Sequence, residues 1–407
     1  MEDKRLLVLD TSFSYEAIVE RGLETSVTCR DIEGFFEHVW SVHPFASLVT
    51  SSEWGEQFGR SVVYEVTKTH TFIEGKIGRT RFLKNFGTMN FILAQIEVFI
   101  LLFWIIRKSG ISVIRVGDPL YLGVFGYALS KLTGIPFVVR VGANNEKIRR
   151  TTGRSMMPRL FKSMRLERNI ERFVLSRADL IAGANEDNLQ FAIDSGASTD
   201  KCTLFRYGNL IDNIHFTNPA QRSIAEEIVT ESPFLLCIAR LEVVKKVDDV
   251  IRVLAEVRKN GFNVRALLVG DGRERENLEC LAEELGVSRY VVFFGNKGQQ
   301  WLASTIPHAS VVISPHTGRA LAEAALGAAP IVAYDVDWQA EVIATGITGE
   351  LVSYGDWQAL SRSTIRLLSD GGYAKQVGEN VRRKVVKMMD PHMLNEHERS
   401  QYAKLIV

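Results

Sequence analysis

The stretch that decides the fold runs FLLCIAR (234–240), VRALLVGDG (264–272), VVFFGN (291–296) and VVISPHTGRALAEAAL (311–326). Each segment opens with a nearly continuous apolar run, which is typical of a strand buried on both faces of a parallel sheet. Helical patterns occupy the intervals between the runs, and they are long enough to be crossover connections. One more strand pattern, at 330–335, follows a glycine. We therefore predict a doubly wound α/β domain, in which ligands bind where the strands end.

The first half of the chain alternates in the same way. Strand patterns lie at residues 5–10, 61–67, 113–118, 137–142, 180–185 and 203–208, and helical patterns separate them. A polar, weakly patterned segment at 212–233 contains Asn-Pro and Ser-Pro pairs, which favour a linker. We predict an α/β protein of two Rossmann-like domains facing a cleft, at residues 1–215 and 216–390. A tail at 391–407 is expected to pack back on the first domain.

Bulk properties narrow the possible functions. The chain has 407 residues, too many for one core, and a formal net charge of +1, so no general attraction to a polyanion is expected. The four cysteines form no C-x-x-C pair, which predicts reduced, buried thiols and no zinc site. The charged N-terminus does not resemble a signal peptide. The most apolar stretch, 91–106, is short and contains Gln95 and Glu97, so it is predicted to be a buried helix.

Two cations follow the first strand of the second domain. Arg240 ends the strand, and Lys245 comes five residues later, before a helix. A planar guanidinium, a point charge and a helix N-terminus together make a suitable site for a diphosphate. The alternative is a solvated basic loop, since Lys246 is also there.

Two further loops follow neighbouring strands. The turn at 270–272 has two glycines, which would let the backbone approach a ligand, although a tight turn alone explains them equally well. In the segment 314–324, a turn at Gly318 leads into a helix whose free N–H groups could face a phosphate. Glu323, one turn inside this helix, could accept hydrogen bonds from ribose hydroxyls. The alternative for Glu323 is a solvated helix residue.

From about residue 234 to 370, the order and spacing of these motifs resemble family 4 glycosyltransferases of the GT-B fold. The matching residues include 238–241 with Lys245, then 268–272, 292–295, Gly318, Glu323, Gly327, 330–333, Glu341 and 346–349. The resemblance implies a retaining, hexosyltransferase-type enzyme that uses a nucleotide-sugar donor, with UDP- or GDP-linked sugar as its substrate. It implies no resident cofactor and no metal, because cations and helix N-termini would neutralise the diphosphate.

The resemblance also implies roles for individual residues. Arg240 and Lys245 would hold the diphosphate and stabilise the leaving group, with His316 beside them. The other implied donor-binding residues are Gly270, Asn296, Lys297, Thr317, Gly318, Arg319, Glu323, Asp337, Trp338 and Gln339. On the acceptor side, the residues singled out are Asp10, Asp118 and Asn144.

The sequence departs from the family pattern in three places. Pro315 stands where the family usually carries a glutamate, and His316 could partly replace that acid. Gly117 stands where a histidine often precedes the acid-proline pair, and Asp10 begins a loop that lacks the usual glycines. A degenerate, non-catalytic sugar-nucleotide-binding or scaffold subunit is therefore an alternative. A nicotinamide-dependent oxidoreductase is a weaker one, because the G-x-G-x-x-G fingerprint is missing.

A basic segment suggests where the acceptor is. Cations interleaved with apolar residues suit an anionic membrane surface, whereas the alternative is an ordinary solvated helix. We predict a cytoplasmic enzyme, peripherally associated with the inner face of the cell membrane, that acts on a lipid-linked or glycan acceptor in surface polysaccharide or glycolipid assembly. No nucleic-acid partner is expected, because no aromatic stacking platform is present. The cations are Lys147, Arg149, Arg150, Arg154, Arg159, Lys162, Arg165, Arg168 and Arg172.

Overall fold

Contacts divide the chain into two compact units. A computed structural model describes residues 4–20, 23–46, 57–219, 223, 225, 233–316 and 318–406. The first unit comprises Met1–Arg206 with Pro391–Val407, and the second comprises Tyr207–Asp390. The predicted ranges 1–215 and 216–390 place the boundary slightly later in the chain.

The first unit contains an eight-stranded sheet with the order β3-β4-β2-β1-β5-β6-β7-β8. All pairings are parallel except β3 with β4. Apolar side chains cover both faces, as continuous apolar runs predict. The strands are β1 (Arg5–Leu9), β2 (His38–His43), β3 (Val62–Thr67), β4 (His70–Glu74), β5 (Val113–Val116), β6 (Phe137–Val141), β7 (Leu180–Gly183) and β8 (Cys202–Leu204).

The helices of the first unit include one long apolar helix, α3. Their bounds are α1 (Tyr15–Glu20), α2 (Thr25–Thr28), α3 (Gly87–Ser109), α4 (Tyr121–Thr133), α5 (Asn145–Thr152), α6 (Met164–Leu175) and α7 (Glu186–Asp194). By length and composition, α3 is the one helix among the described residues that could cross a membrane. The prediction that it is a buried helix is wrong, because a whole face of it, including Ile96 and Ile100, is exposed.

The second unit is a six-stranded, fully parallel sheet with the order β11-β10-β9-β12-β13-β14. The strands β10 and β11 lie on one side of β9. After β11 the chain crosses over and forms β12 on the other side of β9. Ligands bind at such a switch point in open α/β sheets. The strands are β9 (Phe234–Ile238), β10 (Arg265–Val269), β11 (Val291–Gly295), β12 (Val311–Ser314), β13 (Ile331–Asp335) and β14 (Glu350–Ser353).

Helices cover both faces of this second sheet, as doubly wound folds require. They are α8 (Val247–Lys259), α9 (Arg275–Glu284), α10 (Gln299–Thr305), α11 (Arg319–Leu326), α12 (Gln339–Val342), α13 (Trp357–Ser369) and α14 (Gly371–Met389). The thiols differ from the prediction of uniform burial: Cys237 lies in the core, where burial raises its pKa to about 12, but Cys280 is exposed on α9.

The tail of the chain forms helix α15 (Pro391–Leu405), which belongs to the first unit. Arg115 on β5 donates from Nη1 to Glu398 Oε1 at 3.1 Å and to the Tyr402 hydroxyl at 3.2 Å. All three side chains are buried. An ion pair inside the core tolerates little displacement, so it fixes the position of α15 against the sheet.

Candidate donor site

A pocket of about 300 Å³ opens in the second unit where β9, β10, β11 and β12 end. The carboxyl ends of parallel strands meet at one edge of the sheet, so residues far apart in the sequence converge there. The lining residues come from four strand ends and the loops after them, and from helices α10 and α11. They are Ile238, Ala239, Arg240, Lys245, Val269, Gly270, Asn296, Lys297, Gln299, Leu302, His316, Gly318, Arg319, Ala320 and Glu323.

The pocket brings the predicted diphosphate cations together with His316. Arg240 follows β9 and is exposed, whereas Lys245 is half-buried at the end of a short turn before α8. Lys245 Nζ lies 3.2 Å from Nδ1 of His316. Burial and the neighbouring Arg240 charge lower the pKa of Lys245, and Asp337 opposes this shift. The site therefore concentrates positive charge, and a bound anion would relieve the repulsion between the two cations.

The glycines after β10 are needed for packing the loops around the pocket. Gly270 has φ +135°, and a Cβ there would lie 1.9 Å from the carbonyl oxygen of Ala239. A Cβ on Gly272 would lie 2.2 Å from the carbonyl oxygen of Leu241. Both glycines thus let the loop after β10 press against the loop that carries Arg240. Gly270 lines the pocket, but the close approach that requires glycine is to protein backbone.

Glu323 is held in a buried hydrogen-bonding network. It is 2% exposed, so the alternative of a solvated helix residue is wrong. Arg319 Nε lies 2.9 Å from Glu323 Oε1. When the Gln299 amide is oriented to satisfy both of its atoms, its nitrogen donates to the same oxygen at 3.1 Å and its oxygen accepts from Arg319 Nη2 at 3.2 Å. The carboxylate is thereby fixed at the pocket wall.

Gln299 was not predicted from the sequence. It is the first residue of α10, the helix that follows β11, and its amide joins Arg319 to Glu323. The only signal in the sequence is a polar residue at a helix start beside the predicted site. The same loop carries Lys297, whose Nζ lies 5.5 Å from the ring centre of Phe294 and 5.4 Å from that of Trp301. Asn296 and Lys297 both line the pocket, as their predicted place beside the base requires.

The loop after β13 does not contribute to the pocket lining among the described residues. Asp337 has φ +55° and acts on Lys245 through its charge. Trp338 packs against the core of the second unit. Gln339 is fully buried: it accepts from Ser314 Oγ at 3.0 Å and donates to backbone carbonyls of Ser314 and Tyr334.

The Gln339 amide thus ties the end of β12 to the end of β13, and the predicted place of Gln339 at the donor stays a prediction. At the start of α11, Gly318 and Arg319 line the pocket as predicted, and Arg319 Nη1 also donates to the carbonyl of Leu210 at 3.3 Å. Thr317, the remaining predicted donor-binding residue, lies outside the described residues.

The predicted acceptor-side residues lie in the first unit. Asp10, directly after β1, accepts from Arg30 Nη2 at 2.6 Å. Burial acts to raise the pKa of Asp10, but Arg30 and Ser12 outweigh it, so the pKa is lowered. Asp118, after β5, accepts from the Leu120 amide at 2.7 Å, and its Oδ2 is enclosed without a hydrogen-bond partner among the described residues. Burial raises the pKa of Asp118 to about 7.

Asn144 has a local structural role. It is the N-cap of α5, where its oxygen accepts from the Lys147 amide at 3.1 Å. Its nitrogen donates to Asp187 Oδ2 at 3.1 Å. Both ends of this amide are thus engaged in positioning α5. One N–H and one lone pair of the amide are not used by these two hydrogen bonds, so its acceptor role stays a prediction.

The basic segment from Lys147 to Arg172 is more strongly paired than its sequence suggests. Arg149 is buried and forms ion pairs with Glu146, Glu167 and Glu171. Three other cations also meet carboxylates, since Arg150 and Arg168 bond Glu146 and Lys147 bonds Asp187. The remaining five stay exposed: Arg154, Arg159, Lys162, Arg165 and Arg172.

Part of the second unit matches a known protein family. Residues 221–384 match the model of the family described as glycosyl transferases group 1. This match contains the whole stretch from about 234 to 370 that resembles glycosyltransferases, and it confirms that resemblance. The matched residues also contain every described residue of the pocket lining.

Two curated relatives are enzymes of sugar transfer. The chain is 24% identical over 220 residues to N-acetyl-alpha-D-glucosaminyl L-malate synthase of Bacillus anthracis, covering 53% of this chain and 57% of that protein. It is 28% identical over 159 residues to the GDP-mannose-dependent alpha-(1-6)-phosphatidylinositol monomannoside mannosyltransferase of Mycolicibacterium smegmatis, covering 36% and 42%. The matches thus span about half the length of these relatives or less.

The likeness to solved structures extends over the whole chain. The crystal structure of Anabaena Alr3699/HepE in complex with UDP aligns with a TM-score of 0.71 at 16% sequence identity, covering 98% of this chain and 100% of that chain. At this identity the likeness concerns the fold. Together with the two parallel-sheet units, it confirms the predicted GT-B fold of two Rossmann-like domains.

Proposed function

We propose that this chain, whose residues 221–384 belong to the glycosyl transferases group 1 family, is a retaining, hexosyltransferase-type glycosyltransferase of family 4 that uses a nucleotide-sugar donor. The observation that carries the proposal is one pocket that combines Arg240, Lys245 and His316 with a fixed carboxylate, Glu323. The cations suit a diphosphate and the carboxylate suits a pair of ribose hydroxyls. Asn296 and Lys297, at the end of β11, would lie beside the base.

The chemistry follows from the charge in the pocket. During transfer, the bond between the sugar C1 and the diphosphate oxygen breaks, and a bond from C1 to the acceptor oxygen forms. The acceptor oxygen attacks C1 on the face from which the phosphate departs and passes its proton to that phosphate, so the anomeric configuration is kept. Arg240 and Lys245 stabilise the negative charge that develops on the leaving group. The proposal requires no resident metal or cofactor, because these two cations meet the diphosphate directly.

The identity of the donor base and acceptor is proposed from the relatives. UDP is bound in the Anabaena structure, and the Mycolicibacterium mannosyltransferase is named for GDP-mannose, so a UDP- or GDP-linked sugar is the proposed donor. The name of that mannosyltransferase also includes phosphatidylinositol monomannoside, a glycolipid. This supports a lipid-linked or glycan acceptor, in surface polysaccharide or glycolipid assembly. We place the enzyme at the inner face of the cell membrane, where the exposed cations of the 154–172 segment would meet anionic lipid.

Calorimetric titration with UDP, GDP and ADP tests the donor site. We expect saturable binding of one nucleotide, and a loss of affinity of at least about tenfold in Arg240→Ala, because a charge-assisted contact to phosphate is removed. Lys259→Ala is the matched control, since Lys259 is an exposed cation of α8 outside the pocket lining. Absence of binding by all three nucleotides would contradict the donor-site assignment.

A further inference from the structure

Helix α3 presents an apolar stripe to the outside of the first unit. Ile92, Ile96, Ile100 and Trp104 recur every four residues and therefore lie on one face of the helix. Met89 and Leu93 extend the same face. These six side chains, the apolar stripe, are between 39% and 54% exposed. At 1.5 Å per residue, the stripe is about 22 Å long.

The opposite face of α3 fastens the helix to the first unit. Val98, Leu102 and Ile106 are buried in the core beside the sheet. Gln95 donates to the carbonyl of Pro44 at 3.1 Å and accepts from the Tyr121 hydroxyl at 2.7 Å. If α3 crossed a bilayer, Gln95 would lose its hydrogen-bond partners and the core of the first unit would lose the buried side chains of α3. The helix is therefore not suited to span a membrane. Its outer face can still rest against one.

Cations flank the apolar stripe at both ends, and two exposed aromatic rings precede it. Phe82 and Phe86, just before α3, are 92% and 63% exposed. Between Lys76 and Gly110 there are six cations and a single acid, Glu97. That acid accepts a hydrogen bond from the Ser61 hydroxyl at 2.7 Å. The exposed cations are Arg81 and Lys84 before the stripe, and Arg107 and Lys108 after it.

We propose that α3 lies in the plane of an anionic lipid surface, with its apolar stripe at the boundary between headgroups and acyl chains. Amphipathic helices bind in this way through apolar burial combined with attraction of their cations to lipid phosphates. Aromatic side chains favour the same interface. A second copy of the chain would cover the apolar stripe less well. If two α3 helices packed together, parallel or antiparallel, the cations at their ends would face one another and repel.

This inference rests on the proposed membrane association and assigns it to a different surface. In the segment from Lys147 to Arg172, the apolar residues Met156, Met157 and Phe161 are half-buried, and several cations already have carboxylate partners. Among its large apolar side chains, two are exposed, Ile148 at 37% and Leu166 at 48%, whereas the apolar stripe of α3 has six. The apolar stripe of α3 supplies both components of interfacial binding in one helix.

Flotation of the full chain with vesicles tests the assignment. Vesicles of phosphatidylcholine with phosphatidylglycerol are compared with pure phosphatidylcholine. We expect the wild type to bind the anionic vesicles, and Ile96→Gln/Ile100→Gln to bind them about tenfold more weakly because the apolar contribution is lost. Arg81→Gln/Lys84→Gln should lose most of the preference for anionic lipid. Leu285→Gln/Ile347→Gln is the control, since both residues are exposed apolar positions of the second unit.

Three outcomes would overturn the inference. The first is an absence of wild-type binding, and the second is unchanged binding by the Ile96→Gln/Ile100→Gln variant. The third is conversion of a dimer to a monomer by that variant in sedimentation, because the stripe would then cover a second copy. Melting curves of the same variants show whether each one is folded, and nucleotide titration shows whether its donor site is intact. A variant that binds nucleotide but not vesicles would therefore have lost the membrane surface and not the donor site, which lies in the other unit.

Discussion

Lys245→Ala is expected to lower the turnover of the nucleotide sugar by about 10²–10³-fold, the range for removing one preorganised charge-stabilising group. The ammonium is half-buried beside Arg240 and His316, so it meets a phosphate in a site partly shielded from water. Because the charge on the phosphate grows as the C1–oxygen bond breaks, kcat should fall more than affinity. The measurement is the rate of nucleoside diphosphate release under saturating donor.

Val244→Ala is the control for this substitution, since its side chain is 53% exposed and adjacent to Lys245. It should keep nearly full turnover. An unchanged kcat in Lys245→Ala, with wild-type folding, would show that the pocket cation does not stabilise the leaving group.

Arg149→Ala is expected to destabilise the protein by about 3–5 kcal/mol, the range for breaking a buried ion pair by removing one partner. The Arg149 side chain is 1% exposed, and the Glu167 and Glu171 side chains it bonds are no more exposed. Without the guanidinium, two buried carboxylates on α6 would lose their shared cation. The free energy of unfolding of the first unit, measured by chemical denaturation, gives the size of the effect.

Arg150→Ala is the matched control, one residue along the same helix. Its side chain is 78% exposed and pairs with Glu146, so the expected change is below about 1 kcal/mol. Equal effects of the two substitutions would show that the Arg149 network contributes no more than a surface ion pair. A large effect would explain why this basic segment is less available to an anionic surface than its composition suggests.

The parts of the fold that could be predicted from the sequence are those buried on both sides. β9, β10, β12 and β13 are continuous apolar runs because helices cover both faces of the sheet. The prediction missed β2, where Ser41 and His43 are buried, and it also missed β4 and β14. In β2, Arg30 donates to Ser41 Oγ at 2.9 Å. A polar strand residue satisfied by a distant side chain leaves no apolar pattern to recognise.

For the candidate site, the convergence of the strand-end residues could be predicted from the sequence, but the orientation of individual side chains could not. Strand ends of a parallel sheet must converge, so Arg240, Lys245 and Glu323 could be placed near one another from their positions alone. Gln299 lines the pocket without having been predicted, and the Gln339 amide is buried among backbone groups, because packing and not spacing decides where an amide points. Similarly, the composition of 91–106 reveals an apolar helix, but only tertiary contacts decide that one of its faces stays exposed.

Pro315, next to the pocket residue His316, marks the main departure from the family pattern. No carboxylate stands there, and the neighbouring His316 contacts Lys245 through Nδ1. An imidazole can donate a hydrogen bond to a sugar hydroxyl or to a phosphate, which an acid in its ionised form cannot do. The proposed activity therefore relies on His316 and the two cations, whereas a non-catalytic binding subunit would retain nucleotide affinity without turnover.

The most direct test of the proposed activity is proton NMR of a panel of UDP- and GDP-linked sugars incubated with the full chain and a membrane extract as acceptor source. We expect one donor to be consumed, nucleoside diphosphate to be released, and the product to keep the anomeric configuration of the donor. Arg240→Ala should abolish the reaction. Consumption of no donor despite nucleotide binding, or a product of inverted configuration, would contradict retaining glycosyl transfer.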